Sequence, residues 1–167
     1  MERRDFLKSA AVLTAGFTTN ANIFAASSNK IAANDKIRMG FIGVGNRGSE
    51  LLGLFMQQPD CEVAALCDVY EPYLHRDRSK VNERWLKDLT DKIPKMGEKF
   101  EKRPKLYSDF RKLLEDKDID AVCIATPDHW HAYITIAAIK AGKDVYCEKP
   151  LTSTLTEGRK MVEAQAA

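Results

Sequence analysis

Ile37-Arg38-Met39-Gly40-Phe41-Ile42 runs straight into Gly43-Val44-Gly45-Asn46-Arg47-Gly48, and this stretch decides the fold. The six residues before the glycines read as a short buried strand; those after them, with Leu51, Leu52, Phe55 and Met56 on one face, read as a helix ended by Pro59 and Asp60. Glu62-Val63-Ala64-Ala65-Leu66-Cys67 is a second apolar strand, and Asp68 stands at its end, twenty positions beyond Gly48. A lone G-x-G-x-x-G is weak, because glycines also make ordinary turns. Between a strand and a helix, with an acid at that distance, the same glycines are suited to a dinucleotide. Gly43 permits the tight turn, Gly45 lets the backbone approach a pyrophosphate, and Gly48 lets the helix pack close to the strand. The helix N-terminus offers unpaired N–H groups and a partial positive charge, with Asn46 and Arg47 as candidates for a further side-chain contact. Asp68 is placed to accept hydrogen bonds from the adenosine ribose hydroxyls, where its charge opposes a 2'-phosphate; the alternative for an Asp at a strand end is a simple turn former. NAD is therefore the expected cofactor, with NADP the alternative if loop Arg76 or Arg78 folds back to meet the extra phosphate.

Outward from this unit the pattern repeats. Ile119 to Ala125 is apolar throughout, as expected of a strand covered by helices on both faces, and Thr126-Pro127-Asp128-His129-Trp130-His131 is its turn. A helix follows with Ile134, Ala137, Ala138 and Ala141 facing inward, closed by Gly142 as a left-handed cap. Val145-Tyr146-Cys147 is the next strand and runs into Glu148-Lys149-Pro150; Thr154 and Glu157 fit a capping box for a last helix. Between the two halves, Tyr70 to Arg103 is densely charged, with Leu74, Val81, Trp85, Leu86, Leu89 and Ile93 spaced for one or two surface helices broken at Pro94. Its basic cluster Lys99, Lys102, Arg103 and Lys105 is interleaved with acids and reads as a solvated face. Leu106 and Tyr107 fit a very short strand, and Ser108 or Asp109 caps a helix bearing Phe110, Leu113 and Leu114. Alternating strands and helices predict an α/β, Rossmann-type doubly wound parallel sheet with flanking helices. Right-handed crossovers then bring Gly43 to Gly48, Asp68, Thr126 to His131 and Glu148 to Pro150 to one edge.

Composition narrows the function classes. Of 167 residues 44% are hydrophobic and 30% charged, which predicts a packed core rather than disorder. A net charge of +2 gives no electrostatic case for nucleic acid. Cys61, Cys67, Cys123 and Cys147 lack paired spacing and read as buried thiols. His129 and His131 beside Asp128 lack the further ligands a metal site needs, and Asp128 has the alternative role of helix cap. The residue chemistry of Lys149 leaves two readings open: a group that orients a substrate hydroxyl and eases its proton loss, or a surface lysine beside a strand-ending proline.

The chain opens Met1-Glu2-Arg3-Arg4-Asp5-Phe6-Leu7-Lys8, followed by a short apolar stretch and then small residues, an order that resembles a bacterial twin-arginine export signal with cleavage near Ala25, Ala26 or Ser27. The apolar part, interrupted at Thr18, Thr19 and Asn20, is too short to be a membrane anchor. The expected organisation is a signal region at 1–30, a linker at 31–36 and the nucleotide-binding domain at 37–167, in a periplasmic or secreted bacterial protein.

Gly43-Val44-Gly45-Asn46-Arg47-Gly48, Ala125-Thr126-Pro127-Asp128-His129-Trp130-His131 and Glu148-Lys149-Pro150-Leu151, in this order, resemble the Gfo/Idh/MocA oxidoreductase family over residues 37–167, and with the twin-arginine-like start its exported branch. The resemblance implies a Rossmann domain binding NAD or NADP, followed by an α/β domain that takes a sugar, inositol or related polyol, in a protein for which a homo-oligomer is open. It implies that Gly43, Gly45 and Gly48 form the nucleotide loop, that Asp68 meets the ribose, that Thr126, Pro127 and His131 lie beside the cofactor, and that Glu148, Lys149 and Pro150 lie near the nicotinamide, with Lys149 catalytic. The second, substrate domain is missing from these 167 residues, so the expectation is a truncated product or fragment that binds a dinucleotide and does not turn over substrate alone. Two other readings stand beside the oxidoreductase: an NAD-dependent glycoside hydrolase acting through transient sugar oxidation, and a non-catalytic nucleotide-binding module.

Overall fold

The computed structural model describes residues 36–83 and 96–167. The export signal, the linker and the helical pattern through Trp85, Leu86, Leu89, Ile93 and Pro94 lie outside the described residues, Lys36 excepted. Among the described residues five strands form one sheet: β1 (Ile37–Ile42), β2 (Cys61–Cys67), β3 (Lys105–Tyr107), β4 (Ala121–Ile124) and β5 (Asp144–Cys147). Their order is β3-β2-β1-β4-β5 and every pairing is parallel. The chain moves outward from β1 through β2 to β3, then returns to the other side of β1 for β4 and β5. The boundary between β1 and β4 is thus a topological switch point, where adjacent loops diverge and leave a crevice.

Side-chain alternation explains how two helical layers attach. On one face Met39, Phe41, Leu66 and Cys123 pack with Leu51 and Leu52 of α1 (Asn46–Phe55) and Leu74 of α2 (Glu71–Leu74). On the other, Ile42, Ala65, Val122 and Ile124 pack with Leu113 of α3 (Phe110–Glu115) and with Ile134 and Ala138 of α4 (His131–Lys140). All four residues of β4 are buried, because both faces are covered and the period-two pattern has no solvent side to report. Cys67 and Cys123 are buried free thiols, each pushed up to about 12 by burial. Cys61 and Cys147 are half-buried.

Local signals hold at most boundaries. Asp109 caps α3 by accepting from the Arg111 N–H. Just past the end of α4, Gly142 takes a left-handed φ of 72°, and Thr154 and Glu157 form a reciprocal capping box at the start of α5 (Leu155–Ala166). Two readings need correction. Ala141 is exposed, because α4 ends at Lys140 and the chain turns away before another inward position arrives. Asp128 does not cap α4: its carboxylate accepts from the adjacent His129 N–H within a short 3-10 turn (Asp128–Trp130), and α4 opens without a side-chain cap. Among the described residues no helix is long and apolar enough to cross a membrane.

Candidate functional site

One row of backbone hydrogen bonds builds the site. Asp68 N–H donates to Tyr107 O at 3.2 Å, Gly43 N–H to Cys67 O at 2.8 Å, Ala125 N–H to Ile42 O at 2.9 Å, and Glu148 N–H to Ile124 O at 2.9 Å. The parallel ladder therefore continues one residue past the strands. It sets the first residue of each motif side by side along the C-terminal edge.

Gly43 sits at φ of +85°, a left-handed conformation that favours glycine, with the backbone of Ala125 and Thr126 only 2.8 Å from where a Cβ would be. A Cβ on Gly48 would lie 1.9 Å from the Gly43 carbonyl oxygen, so α1 can approach the loop this closely only without a side chain. Helix α1 opens at Gly45 with no side-chain cap, and its first backbone bond is from Ser49 N–H to Gly45 O at 2.9 Å. The preceding N–H groups of the first turn thus have no intrahelical acceptor and suit an anion.

Asp68 closes this loop from the neighbouring strand. One carboxylate oxygen accepts from the Val44 N–H and the other from the Tyr70 N–H, both at 2.9 Å. Each oxygen keeps lone-pair capacity, so the carboxylate can still receive a diol. Arg76, at φ of 56°, supports the loop from behind: it donates to Val44 O at 2.7 Å and Ser49 Oγ at 2.8 Å, and pairs with Glu98. Its side chain is buried by these contacts, which corrects the expectation that it could fold back onto a 2'-phosphate.

A cavity of about 900 Å³ opens at the switch point. Gly43, Gly45, Asn46, Asp68, Thr126 and Pro127 all line it, as six of the residues singled out from the sequence. Its walls also contain Trp130, which the sequence reading named only as part of the turn motif, and Tyr70 and the run Ser108 to Arg111, which it did not assign to the site. A signal for them existed in principle, since they follow β2, β4 and β3 on the edge where ligands bind; a three-residue β3 made that loop easy to pass over. Arg111 lies over the Phe110 ring at 4.7 Å and is held by Asp109, giving this end of the cavity a flat cationic surface. Gly45 is bordered by the Tyr73 ring, 3.2 Å from its potential Cβ, and among the described residues the buried Thr126 hydroxyl oxygen has no partner. Open backbone beside uncapped N–H groups, a carboxylate on the next strand and an unsatisfied hydroxyl in one crevice fit the adenosine and pyrophosphate parts of NAD.

The remaining selected residues do not line the cavity. Gly48 packs behind the loop. Arg47 Nε donates to Glu148 Oε1 at 2.9 Å, and its Nη1 donates to Glu50 at 2.7 Å. Burial pushes the Glu148 carboxyl up, but the Arg47 guanidinium, the Tyr146 hydroxyl and the Lys149 charge together hold the group below the usual carboxylate range. The His131 ring is buried, with Nδ1 2.6 Å from Pro150 O and Nε2 2.8 Å from Thr126 O. Lys149, between Glu148 and Pro150, is exposed at the end of β5.

Comparison with known proteins accords with this geometry. Residues 37–167 match the GFO/IDH/MocA family, described as an oxidoreductase family with an NAD-binding Rossmann fold. A glycosyl hydrolase family 109 protein from Shewanella sp. (strain W3-18-1) is 31% identical over 183 aligned residues, which cover 98% of this chain and 36% of that protein. A probable dehydrogenase from Thermotoga maritima superposes with a TM-score of 0.58 at 28% identity, over 78% of this chain and 33% of its own. The WlbA dehydrogenase from Bordetella pertussis, solved with NADH and UDP-GlcNAcA, shares the fold with a TM-score of 0.59 at 23% identity, over 78% of this chain and 34% of its own. The chain thus spans about a third of the length of the proteins it matches.

Proposed function

The chain belongs to the Gfo/Idh/MocA family of oxidoreductases with an NAD-binding Rossmann fold, and from that premise we propose that it forms the cofactor half of a carbohydrate or polyol oxidoreductase. The observation that carries this reading is the continuous row of backbone bonds that aligns the glycine loop, Asp68, the Thr126 turn and the Glu148 turn on one edge. Asp68 receives the adenosine ribose, the N–H groups after Gly45 receive the pyrophosphate, and Arg111 and Trp130 border the adenine end. NAD bound there supplies a hydride acceptor or donor at its nicotinamide ring. Lys149, on the β5 side of the switch point, orients the substrate hydroxyl and takes its proton as the adjacent carbon is oxidised, or returns it in the reverse direction. A second domain, following this one in the whole protein, supplies the pocket for a sugar, inositol or related polyol.

Fluorescence titration with NADH tests the cofactor reading. Asp68→Ala is expected to weaken NADH by about tenfold or more, since a charge-assisted hydrogen bond contributes roughly 1.5–3 kcal/mol. Asp68→Asn, which keeps the shape while losing the charge, is expected to narrow the preference for NADH over NADPH. Unchanged NADH affinity in both variants would sink the ribose assignment.

The family 109 likeness favours a second reading, glycoside cleavage in which NAD is reduced and reoxidised within one turnover. Free sugar released without net NADH from the whole protein supports it; stoichiometric NADH excludes it. We further propose that residues 1–30 direct export by the twin-arginine route, placing the protein in the periplasm or outside the cell. Substituting Lys for both Arg3 and Arg4 is expected to leave a reporter fused to these residues in the cytoplasmic fraction, and export at the unsubstituted level would refute the address.

A further inference from the structure

Lys149 has a buried carboxylate as its immediate neighbour. The Glu148 side chain is 9% exposed, and its carboxylate is met by Arg47 Nε at 2.9 Å on one oxygen and by Tyr146 Oη at 3.4 Å on the other. Arg47 reaches it from the first turn of α1, 101 positions earlier in the chain. An arginine inside a glycine-rich nucleotide loop would ordinarily be assigned to the pyrophosphate. Here its guanidinium is shared between two carboxylates, Glu148 and Glu50, and its side chain lies outside the cavity lining.

A buried carboxylate deprived of its cation either takes up a proton or recruits another cation. Lys149 follows Glu148 directly in the chain, and its ammonium charge already acts on that carboxylate. The Lys149 backbone is also fixed on both sides, by Glu148 N–H on Ile124 O and by the His131 ring on Pro150 O. The exposed lysine side chain is free to turn toward the cleft or back onto Glu148.

We propose that Arg47 is a positioning residue that occupies the Glu148 carboxylate so that Lys149 stays available to the cleft. The function of this guard rests on the reading of Lys149 as the proton-handling group. Its existence does not, because capture of the lysine can be observed without cofactor.

Competitive acylation of the full chain at fixed pH, with each lysine quantified by mass spectrometry, reads this directly. Arg47→Met is expected to slow acylation of Lys149 roughly fivefold relative to the other lysines, the size that a partly exposed ion pair supports. Glu148→Gln, which removes the competing charge, is expected to leave Lys149 reactive, and the double variant Arg47→Met with Glu148→Gln is expected to recover the rate. General loosening of the loop predicts the opposite pattern, with all three variants altered alike and the double variant the worst. An unchanged rate in Arg47→Met, or failure of Glu148→Gln to restore it, overturns the proposal. A parallel arm with saturating NADH tests the reading beneath it: protection of Lys149 in the unsubstituted protein supports its place beside the cofactor. Absence of protection removes that place, and the functional meaning of the guard with it, whatever the cofactor-free rates show.

Discussion

Gly48→Ala is expected to abolish measurable NADH binding and to lower unfolding free energy by about 3 kcal/mol or more, the upper end of overpacking costs. The added Cβ would sit 1.9 Å from Gly43 O and 2.8 Å from Gly43 C, and both are backbone atoms that cannot rotate aside. Opening that contact to even 3.0 Å moves the start of α1 away from the glycine loop by roughly an ångström. Gly43 has no room to yield in turn, since its own potential Cβ is 2.8 Å from Ala125 and Thr126 backbone atoms, at a φ of +85°. The displacement therefore falls on the N–H groups assigned to the pyrophosphate and on the Val44 N–H that Asp68 holds. A graded series separates this from helix propensity. Gly45→Ala meets only the Tyr73 ring, at 3.2 Å, and is expected to weaken NADH while costing less stability. Gly53→Ala, in the same helix with nothing within 4 Å, is expected to stabilise by roughly 0.5–1 kcal/mol. Urea unfolding and NADH titration of the three variants check the order. A Gly48→Ala protein that folds within 1 kcal/mol of the unsubstituted chain and binds NADH normally would refute the packing argument.

The close contacts behind that expectation are also why part of the fold was readable from residues alone. The last four residues of the strand before Gly43 and the apolar run of β4 are buried, so hydrophobicity reports them directly, and glycine spacing reports a turn whose φ and close contacts tolerate little else. Asp68 was legible because strand length and helix length fix its distance from the loop. The cavity wall after β3 was harder, since three residues, with Lys105 exposed and Leu106 and Tyr107 half-buried, make a faint strand signal. The contacts of Arg76 were hidden for a different reason. Its contacts with Val44, Ser49 and Glu98 span 22 to 32 positions and depend on a left-handed φ that no local motif announces. The same limit applies to Arg47, Glu148 and His131: residue type and position marked them, but which atom each would face was settled by tertiary packing.

His131 shows what that packing implies for stability. Replacing it by leucine, similar in bulk but without a donor, is expected to cost about 2–3 kcal/mol and to weaken NADH binding in step. The ring is 2% exposed and its two nitrogens face Thr126 O at 2.8 Å and Pro150 O at 2.6 Å, so it ties the turn after β4 to the turn after β5. Both partners are carbonyl oxygens, which only accept; a ring protonated at one nitrogen serves one of them, and a doubly protonated ring serves both. Leucine serves neither, and each unpaired buried acceptor costs roughly 1–3 kcal/mol, reduced where water can return. Pro150 is exposed and can rehydrate, whereas the Thr126 side, already carrying an unpartnered hydroxyl, cannot do so as readily. Gln is the informative companion, because one amide N–H can restore one of the two ties, and His131→Gln is expected to recover about half of the loss. Equilibrium urea unfolding of the two variants reads the stability, and NADH titration reads the site. If His131 instead contacts the cofactor directly, His131→Leu will lose affinity with stability intact. If it is the brace between two turns, stability and affinity will fall together, and His131→Gln will return part of both.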